Sequence, residues 1–178
     1  MLPLNAGQIV FVFLEGGSLY SDPEQLISFN GIHYDPSSPD PANPMTQIAW
    51  SVQRSTSLTA PSSDVDLTFD TIEVNEGLAY NPETGEVTVT VSGYYLINLS
   101  AGALAGLPVN MRLMRNNVQE AALVRDSTTH SGVDTIGRTV LAVLIQGDVV
   151  KVQIGTDSGV YSDSFHQTSF TGFLLVNR

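Results

Sequence analysis

The sequence predicts an all-β domain, a sandwich or barrel of many short strands. Three observations predict it. In residues 69–99, Glu86-Val87-Thr88-Val89-Thr90-Val91 alternates polar and apolar side chains, and Tyr95, Ile97 and Leu99 resume the period of two after a break at Ser92-Gly93. That is the pattern of strands with one buried face. Turn formers punctuate these runs, with Asn81-Pro82-Glu83-Thr84-Gly85 ahead of the first, and such residues supply the dihedral angles and local hydrogen bonds of tight turns. From Ile48 onward no segment supports a helix of three turns, and many short strands with frequent turns imply a sandwich or barrel.

Taken in order, residues 8–14 read as a strand. Leu26-Ile27-Ser28-Phe29 and Ile32-His33-Tyr34 then flank Asn30-Gly31, the pair that supplies positive φ for a type I′ hairpin. This β arm, residues 1–34, is too small to stabilise itself. It is expected to pack on the main domain, on copies of itself or on a larger partner. Residues 35–44 (DPSSPDPANP) carry four prolines and no large apolar side chain, the composition of a semi-rigid, extended linker. The linker is assigned to residues 35–46 and the main domain to 47–178.

Within that domain Ala49-Trp50-Ser51-Val52 is the opening strand, and Asp64-Val65-Asp66-Leu67-Thr68-Phe69 alternates before the central stretch. Val109-Asn110-Met111-Arg112-Leu113 alternates, and Asn116-Asn117 turns the chain into Ala121-Ala122-Leu123-Val124. Residues 139–145 (TVLAVLI) are apolar on both faces, as expected of an inner strand covered on both sides, and Phe173-Leu174-Leu175 is similarly two-sided. Val150, Val152 and Ile154 alternate with Lys151 and Gln153.

A chain of 178 residues with 42% hydrophobic content can bury a sizeable single core. Its 18 acids against 7 bases give a net charge of −11, which argues against nucleic acid and against docking on anionic lipid. No apolar run approaches the roughly 20 residues that span a bilayer. The opening MLPLNAGQIVFVFLEGG lacks a basic n-region and a small-residue cleavage site, so its run from Ile9 to Leu14 reads as a strand and not a signal peptide. The chain has no cysteine, which excludes disulfides, zinc–thiolate sites and cysteine catalysis.

Chemistry-bearing clusters are few. The loop Arg125-Asp126-Ser127-Thr128-Thr129-His130-Ser131-Gly132-Val133-Asp134 holds two aspartates and a polar backbone, oxygen donors of the kind calcium takes, though Asp also favours turns for its own hydrogen bonds. His33, His130 and His166 stand apart, with no metalloprotease spacing. No nucleophile elbow, P-loop or dinucleotide fingerprint occurs, so the chain is not read as an enzyme. The stretch 157–166 is a recognition candidate: Tyr161, Phe165 and His166 offer stacking surfaces, and Asp157, Ser158 and Asp163 offer acceptors. Asn98-Leu99-Ser100 is a glycosylation sequon placed inside a strand pattern, away from the exposed loops that acceptors prefer.

Phe69, Asn75, Tyr80, Gly93 and Tyr95 stand at the relative spacings of the complement C1q globular-head signature, so the chain resembles that domain and the wider C1q and tumour-necrosis-factor superfamily. Ala49–Val52, Gly147-Asp148-Val149-Val150 and residues 168–175 resemble further family segments in the right order, whereas Val87, Ile97 and Leu99 stand where the family usually has aromatics. The resemblance implies a ten-stranded antiparallel jelly-roll sandwich that assembles as a homotrimer. Because no Gly-X-Y repeat occurs, it implies a head without the collagen stalk of many members. Two aspartates at this eight-residue offset bind calcium near the trimer apex in adiponectin-like members. That similarity implies Asp126 and Asp134 as calcium ligands, helped by main-chain oxygens of Ser127 and Val133. The implied function is a non-catalytic, lectin-like extracellular or surface-displayed module, binding glycans or protein surface ligands by avidity. The alternative is a structural trimeric knob fixed through residues 1–44 to a virion, spore or matrix surface.

Overall fold

The computed structural model describes residues 48–77, 79–104, 106–125 and 133–178. The β arm and linker expected at residues 1–46 lie outside them. Among the described residues the structure is all β. In chain order the strands are β1 (Ala49–Gln53), β2 (Leu58–Thr59), β3 (Val65–Asp66), β4 (Thr71–Glu76) and β5 (Tyr80–Asn81). There follow β6 (Glu86–Thr88), β7 (Gly93–Leu104), β8 (Val109–Arg115) and β9 (Val118–Arg125). The last four are β10 (Val133–Leu144), β11 (Val149–Ile154), β12 (Gly159–Val160) and β13 (Ser169–Asn177).

Ten of these make two facing antiparallel paths, β10-β7-β13-β1-β4 and β5-β6-β11-β8-β9. Together they form the expected antiparallel jelly-roll sandwich. The short β3 is added beside β11, and β12 pairs with β2. The polar–apolar runs on either side of Ser92-Gly93 therefore belong to opposite sheets, with β6 in the second and β7 in the first. The Asn116-Asn117 turn joins β8 to β9 in a hairpin as expected, and both asparagines take positive φ, 51° and 65°.

Alternation places the core. Trp50 and Val52, Tyr95, Ile97 and Leu99, and Phe170 point inward from the first sheet, and Val87, Met111, Leu113, Val150, Val152 and Ile154 meet them from the second. The four large rings interlock: Trp50 packs on Phe170 and Tyr95 with centroids 5.4 and 6.2 Å apart, and Phe69 packs on Phe170 at 5.9 Å. Aromatic pairs at such distances add attraction beyond the area they bury. The spaced signature residues are physically one unit. The Tyr80 hydroxyl accepts from the Phe69 amide at 2.8 Å and donates to its carbonyl at 3.0 Å. The Asn75 side chain clasps the Tyr80 backbone with two 3.0 Å bonds. The Tyr95 hydroxyl donates to the Val91 carbonyl at 2.7 Å, and burial pushes its phenol up to about 12.

Two features differ from expectation. The run 139–145 is not an inner strand: β10 lies at the edge of its sheet, and only alternate side chains are covered. Ala142 and Leu144 face the core while Leu141, Val143 and Ile145 face out, so the double-sided apolar composition here places apolar side chains on an exposed outer face. Where β10 meets β9, edge to edge, arginines close the seam in place of a backbone ladder. Arg138 Nη1 donates to the Ala122 carbonyl at 2.8 Å and Arg115 Nη1 to the Val143 carbonyl at 3.0 Å. Arg125 Nη2 meets Asp134 Oδ2 at 2.8 Å.

Candidate functional site

The segment from Tyr161 to Thr168, between β12 and β13, is a loop pinned at both ends. The Tyr161 amide donates to the Gly102 carbonyl at 2.8 Å, and the Thr168 hydroxyl donates to the Tyr161 carbonyl at 2.7 Å while accepting from the Gly102 amide at 3.1 Å. A Cβ on Gly102 would stand 2.3 Å from the Tyr161 carbonyl oxygen, so only glycine lets the loop seat on β7. Ser162, buried, donates to the Arg54 carbonyl at 2.6 Å.

Asp163 organises the exposed part. Its Oδ1 accepts from the Phe165 amide at 2.8 Å and Gln167 Nε2 at 3.0 Å, and its Oδ2 accepts from the Tyr161 hydroxyl at 2.7 Å. These bonds, the Phe165 amide foremost, hold its carboxyl below the usual carboxylate range, and the same Tyr161–Asp163 bond pushes the phenol of Tyr161 up. His166, at φ 52°, returns the chain. Phe165 is left 84% exposed on this braced turn, a large apolar ring presented to solvent by a fixed backbone.

The structure thus brings together Tyr161, Asp163, Phe165 and His166, and adds Gln167, which no motif had singled out. Asp157 and Ser158 belong to a different turn on the far side of β12. Asp157 is exposed, at φ 56°. Ser158 corrects the expectation of a surface acceptor: it is 2% exposed and its hydroxyl donates to the Gly155 carbonyl at 2.6 Å.

Of the expected calcium ligands, Asp126 and Ser127 lie outside the described residues. Val133 opens β10 opposite Leu104, and Asp134 follows it. One Asp134 oxygen is held by Arg125, while the side chain remains 44% exposed. Among the described residues no cluster of three or more His, Asp or Glu could hold a metal. The described part therefore offers one half-exposed carboxylate already shared with a cation.

A polar ladder on the outer face of the second sheet also escaped the sequence reading. Arg112 grips Asp64 with two 2.9 Å bonds and reaches Gln153 Oε1 at 3.3 Å. Gln153 Nε2 donates to Asp66 Oδ1 at 3.1 Å, and Lys151 Nζ donates to Asp66 Oδ2 at 2.7 Å. The Arg112 bonds hold the Asp64 carboxyl below its ordinary range. The two cations are 18% and 13% exposed beneath carboxylates that are 42% and 40% exposed, so this face shows the solvent mainly acceptors. The only sequence signal was the alternation of Asp64 with Asp66 and of Lys151 with Gln153.

Residues 49–175 match the sequence family described as the C1q domain. The chain belongs to the C1q-domain family. Zebrafish (Danio rerio) Caprin-2 is 28% identical over 136 residues, covering 74% of this chain and 15% of that protein. Human complement C1q and tumor necrosis factor-related protein 9B is 32% identical over 120 residues, 66% of this chain and 35% of that protein. Human complement C1q tumor necrosis factor-related protein 5 is 29% identical over 131 residues, 72% of this chain and 54% of that protein. The chain thus spans at most about half the length of these C1q relatives. The globular domain of zebrafish complement 1qA shares the fold with a TM-score of 0.59 at 20% identity, covering 74% of this chain and 99% of that one. Murine APRIL at pH 5.0 shares it with a TM-score of 0.58 at 15% identity, covering 72% and 99%. A C1q-type globular domain is an extracellular recognition-type module, and no helix among the described residues is long and apolar enough to cross a membrane.

Proposed function

We propose that this C1q domain is a non-catalytic recognition head that acts as a homotrimer and binds glycans or protein surface ligands by avidity. The observation that supports it is the outer face of the first sheet. Leu141, Leu96 and Phe173 lie side by side across three strands, and Val143, Tyr94 and Val176 form the next row. Leu141 is 44%, Val176 43%, Tyr94 38% and Val143 36% exposed, with Leu96 and Phe173 half-buried between them. A contiguous apolar face of this kind marks an interaction surface. Its six residues carry no charge, so an identical chain can cover it without apposing like charges there, even at a net charge of −11. Family likeness to C1q and tumour-necrosis-factor domains supports three copies around one axis.

Trimerisation matters to recognition because three identical weak sites act together, the second and third contacts being intramolecular. The braced Tyr161–Gln167 loop, with Phe165 at its tip, is the site proposed for protein surfaces. Calcium is proposed at the β9–β10 end, where it would take Asp134, Asp126 and main-chain oxygens of Ser127 and Val133, in competition with Arg125 for Asp134. Native mass spectrometry with Leu96→Asp tests the assembly. The wild-type chain is expected as a trimer and the variant as a folded monomer. A wild-type monomer would overturn the trimer and the avidity mechanism with it.

A further inference from the structure

A concavity of about 270 Å³ opens on the outer face of the second sheet, away from both the Phe165 loop and the apolar face. It is lined by Glu86 of β6, Val149 and Lys151 of β11, and Asn116-Asn117 at the β8–β9 turn. We propose that this cavity is a binding site for a single neutral sugar ring.

Its walls are fixed before any ligand arrives. Asn116 ties two turns together: its Nδ2 donates to Asp148 Oδ1 at 2.7 Å, and its Oδ1 accepts from the Val149 amide at 2.9 Å. With Asn116 thus engaged, the exposed Asn117, at φ 65°, offers the turn's open amide to the cavity. Glycine is the default residue at such a φ, so asparagine there supplies a donor and an acceptor that the turn itself does not need. Lys151, the only lysine of the chain, is anchored to Asp66 at 2.7 Å and stands 3.9 Å from a Glu86 oxygen. An ammonium has three protons, so it keeps donors for a ligand. Glu86 is 38% exposed on its side chain and its carboxylate has only that long ion pair among the described residues, which leaves strong acceptors open.

The chemistry of the lining selects among ligands. Glu86 with Asp66 behind it outweighs the single Lys151, so phosphate, sulfate and sialic acid meet net negative charge. A metal finds one available carboxylate, because Asp66 is committed to Lys151 and Gln153. A purely apolar ligand finds only Val149. A neutral polyhydroxylated ring satisfies every group: one hydroxyl donates to Glu86, a neighbouring one accepts from Lys151, the Asn117 amide bonds a third, and Val149 underlies the ring's C–H face. Preorganised polar groups around a small apolar floor are the usual composition of such sites.

The proposal deepens the recognition reading and rests on it. The test is a printed array of mannose-, galactose-, glucose- and N-acetylglucosamine-terminated glycans with sialylated and sulfated controls, probed with the full chain. Wild type is compared with Glu86→Ala, Asn117→Gly and, for the loop, Phe165→Ser. Asn117→Gly keeps the left-handed turn, so it removes the amide without disturbing the fold, and thermal melts confirm this for each variant. Neutral glycans are expected to be retained, with about tenfold or greater loss in Glu86→Ala, the size expected for a hydrogen bond to a charged group, a loss of about threefold to tenfold in Asn117→Gly, whose amide is neutral, and no loss in Phe165→Ser. Binding that survives both cavity variants but falls in Phe165→Ser would overturn the cavity site and leave the recognition reading in place. An array with no neutral glycan bound would also overturn it. The recognition head would then be judged on its trimeric mass and its protein ligands.

Discussion

Replacing Gly172 by alanine places one methyl group where the fold has no room for it. A Cβ built on Gly172 falls 2.2 Å from Cζ2, 2.5 Å from Cη2 and 2.7 Å from Cε2 of Trp50. Carbon atoms are comfortable at about 3.5–4.0 Å, so the indole has to retreat by roughly 1.3 Å. It is 1% exposed and is held from other sides by Phe170 and Tyr95, with centroids 5.4 and 6.2 Å away. Overpacking a tight core typically costs about 1–3 kcal/mol, and a ring with no path to solvent belongs at the upper end, about 3 kcal/mol. Trp50→Phe removes the clashing atoms and also a buried indole N–H that has no hydrogen-bond partner among the described residues. Alone it leaves a cavity costing about 2 kcal/mol. The double variant is expected to fall short of the sum by about 1–2 kcal/mol, since residues in contact couple on that scale. Urea unfolding at one fixed protomer concentration measures it. Far-UV circular dichroism is the signal, because Trp50 is the only tryptophan. A Gly172→Ala variant within about 0.5 kcal/mol of wild type, or strictly additive costs, would refute the packing argument.

Three further outcomes are expected. Gly102→Ala drives a methyl into the Tyr161 carbonyl oxygen and unseats the 161–168 loop. Hydrogen exchange at the Tyr161 amide, which donates to Gly102, should accelerate at least tenfold while β1 and β11 stay protected; uniform acceleration would mean global loss. Arg125→Gln frees Asp134 from a cation at 2.8 Å. Near water a charge contact of this kind is worth about 1 kcal/mol, so the calcium concentration that half-raises Tm should fall about fivefold. A Tm indifferent to calcium in both proteins removes calcium from the site. Asp163 has a depressed folded pKa, so its contribution is present above the unfolded value of about 3.9 and is lost as pH falls through the lower folded one. The Phe165 amide, bonded to Oδ1, should show an NMR titration midpoint below that value, and a midpoint at or above it would contradict the hydrogen-bond network.

Alternation made most strands legible, because a sandwich buries one face of each and a period of two survives in any strand so placed. It failed at residues 139–145 for a physical reason. Leu141, Val143 and Ile145 are apolar although they face outward, and an exposed apolar side chain has the same composition as a buried one. Sequence pattern records what must leave water, not which neighbour removes it. The signature residues Phe69, Asn75 and Tyr80 were legible as spacing, but the reason for that spacing is the pair of clasps joining them. At the candidate loop, Tyr161, Asp163, Phe165 and His166 could be grouped because they are close in sequence. Ser158 is close to them in sequence but belongs to the turn before β12, where its hydroxyl is buried against the Gly155 carbonyl. Gly102 and Gln167 carried no signal, because their role depends on which strand the loop crosses. The ladder from Asp64 to Lys151 joins residues 85 or more positions apart in places, a distance over which no local pattern speaks.

The arginine-laced seam bears on what this molecule can build. A sheet edge with free amides and carbonyls accepts another strand, and that strand offers the same edge again, so growth through edges has no natural end. Here Arg138 and Arg115 occupy carbonyls on β9 and β10. On the opposite edges β5 is only two residues long and β4 carries Glu73 and Glu76. In the proposed homotrimer, association runs through the apolar face instead, where a rotation that closes stops at a fixed number of copies. The same scarce arginines that tie β8 and β9 to β10 thus disfavour growth into a fibre through these edges.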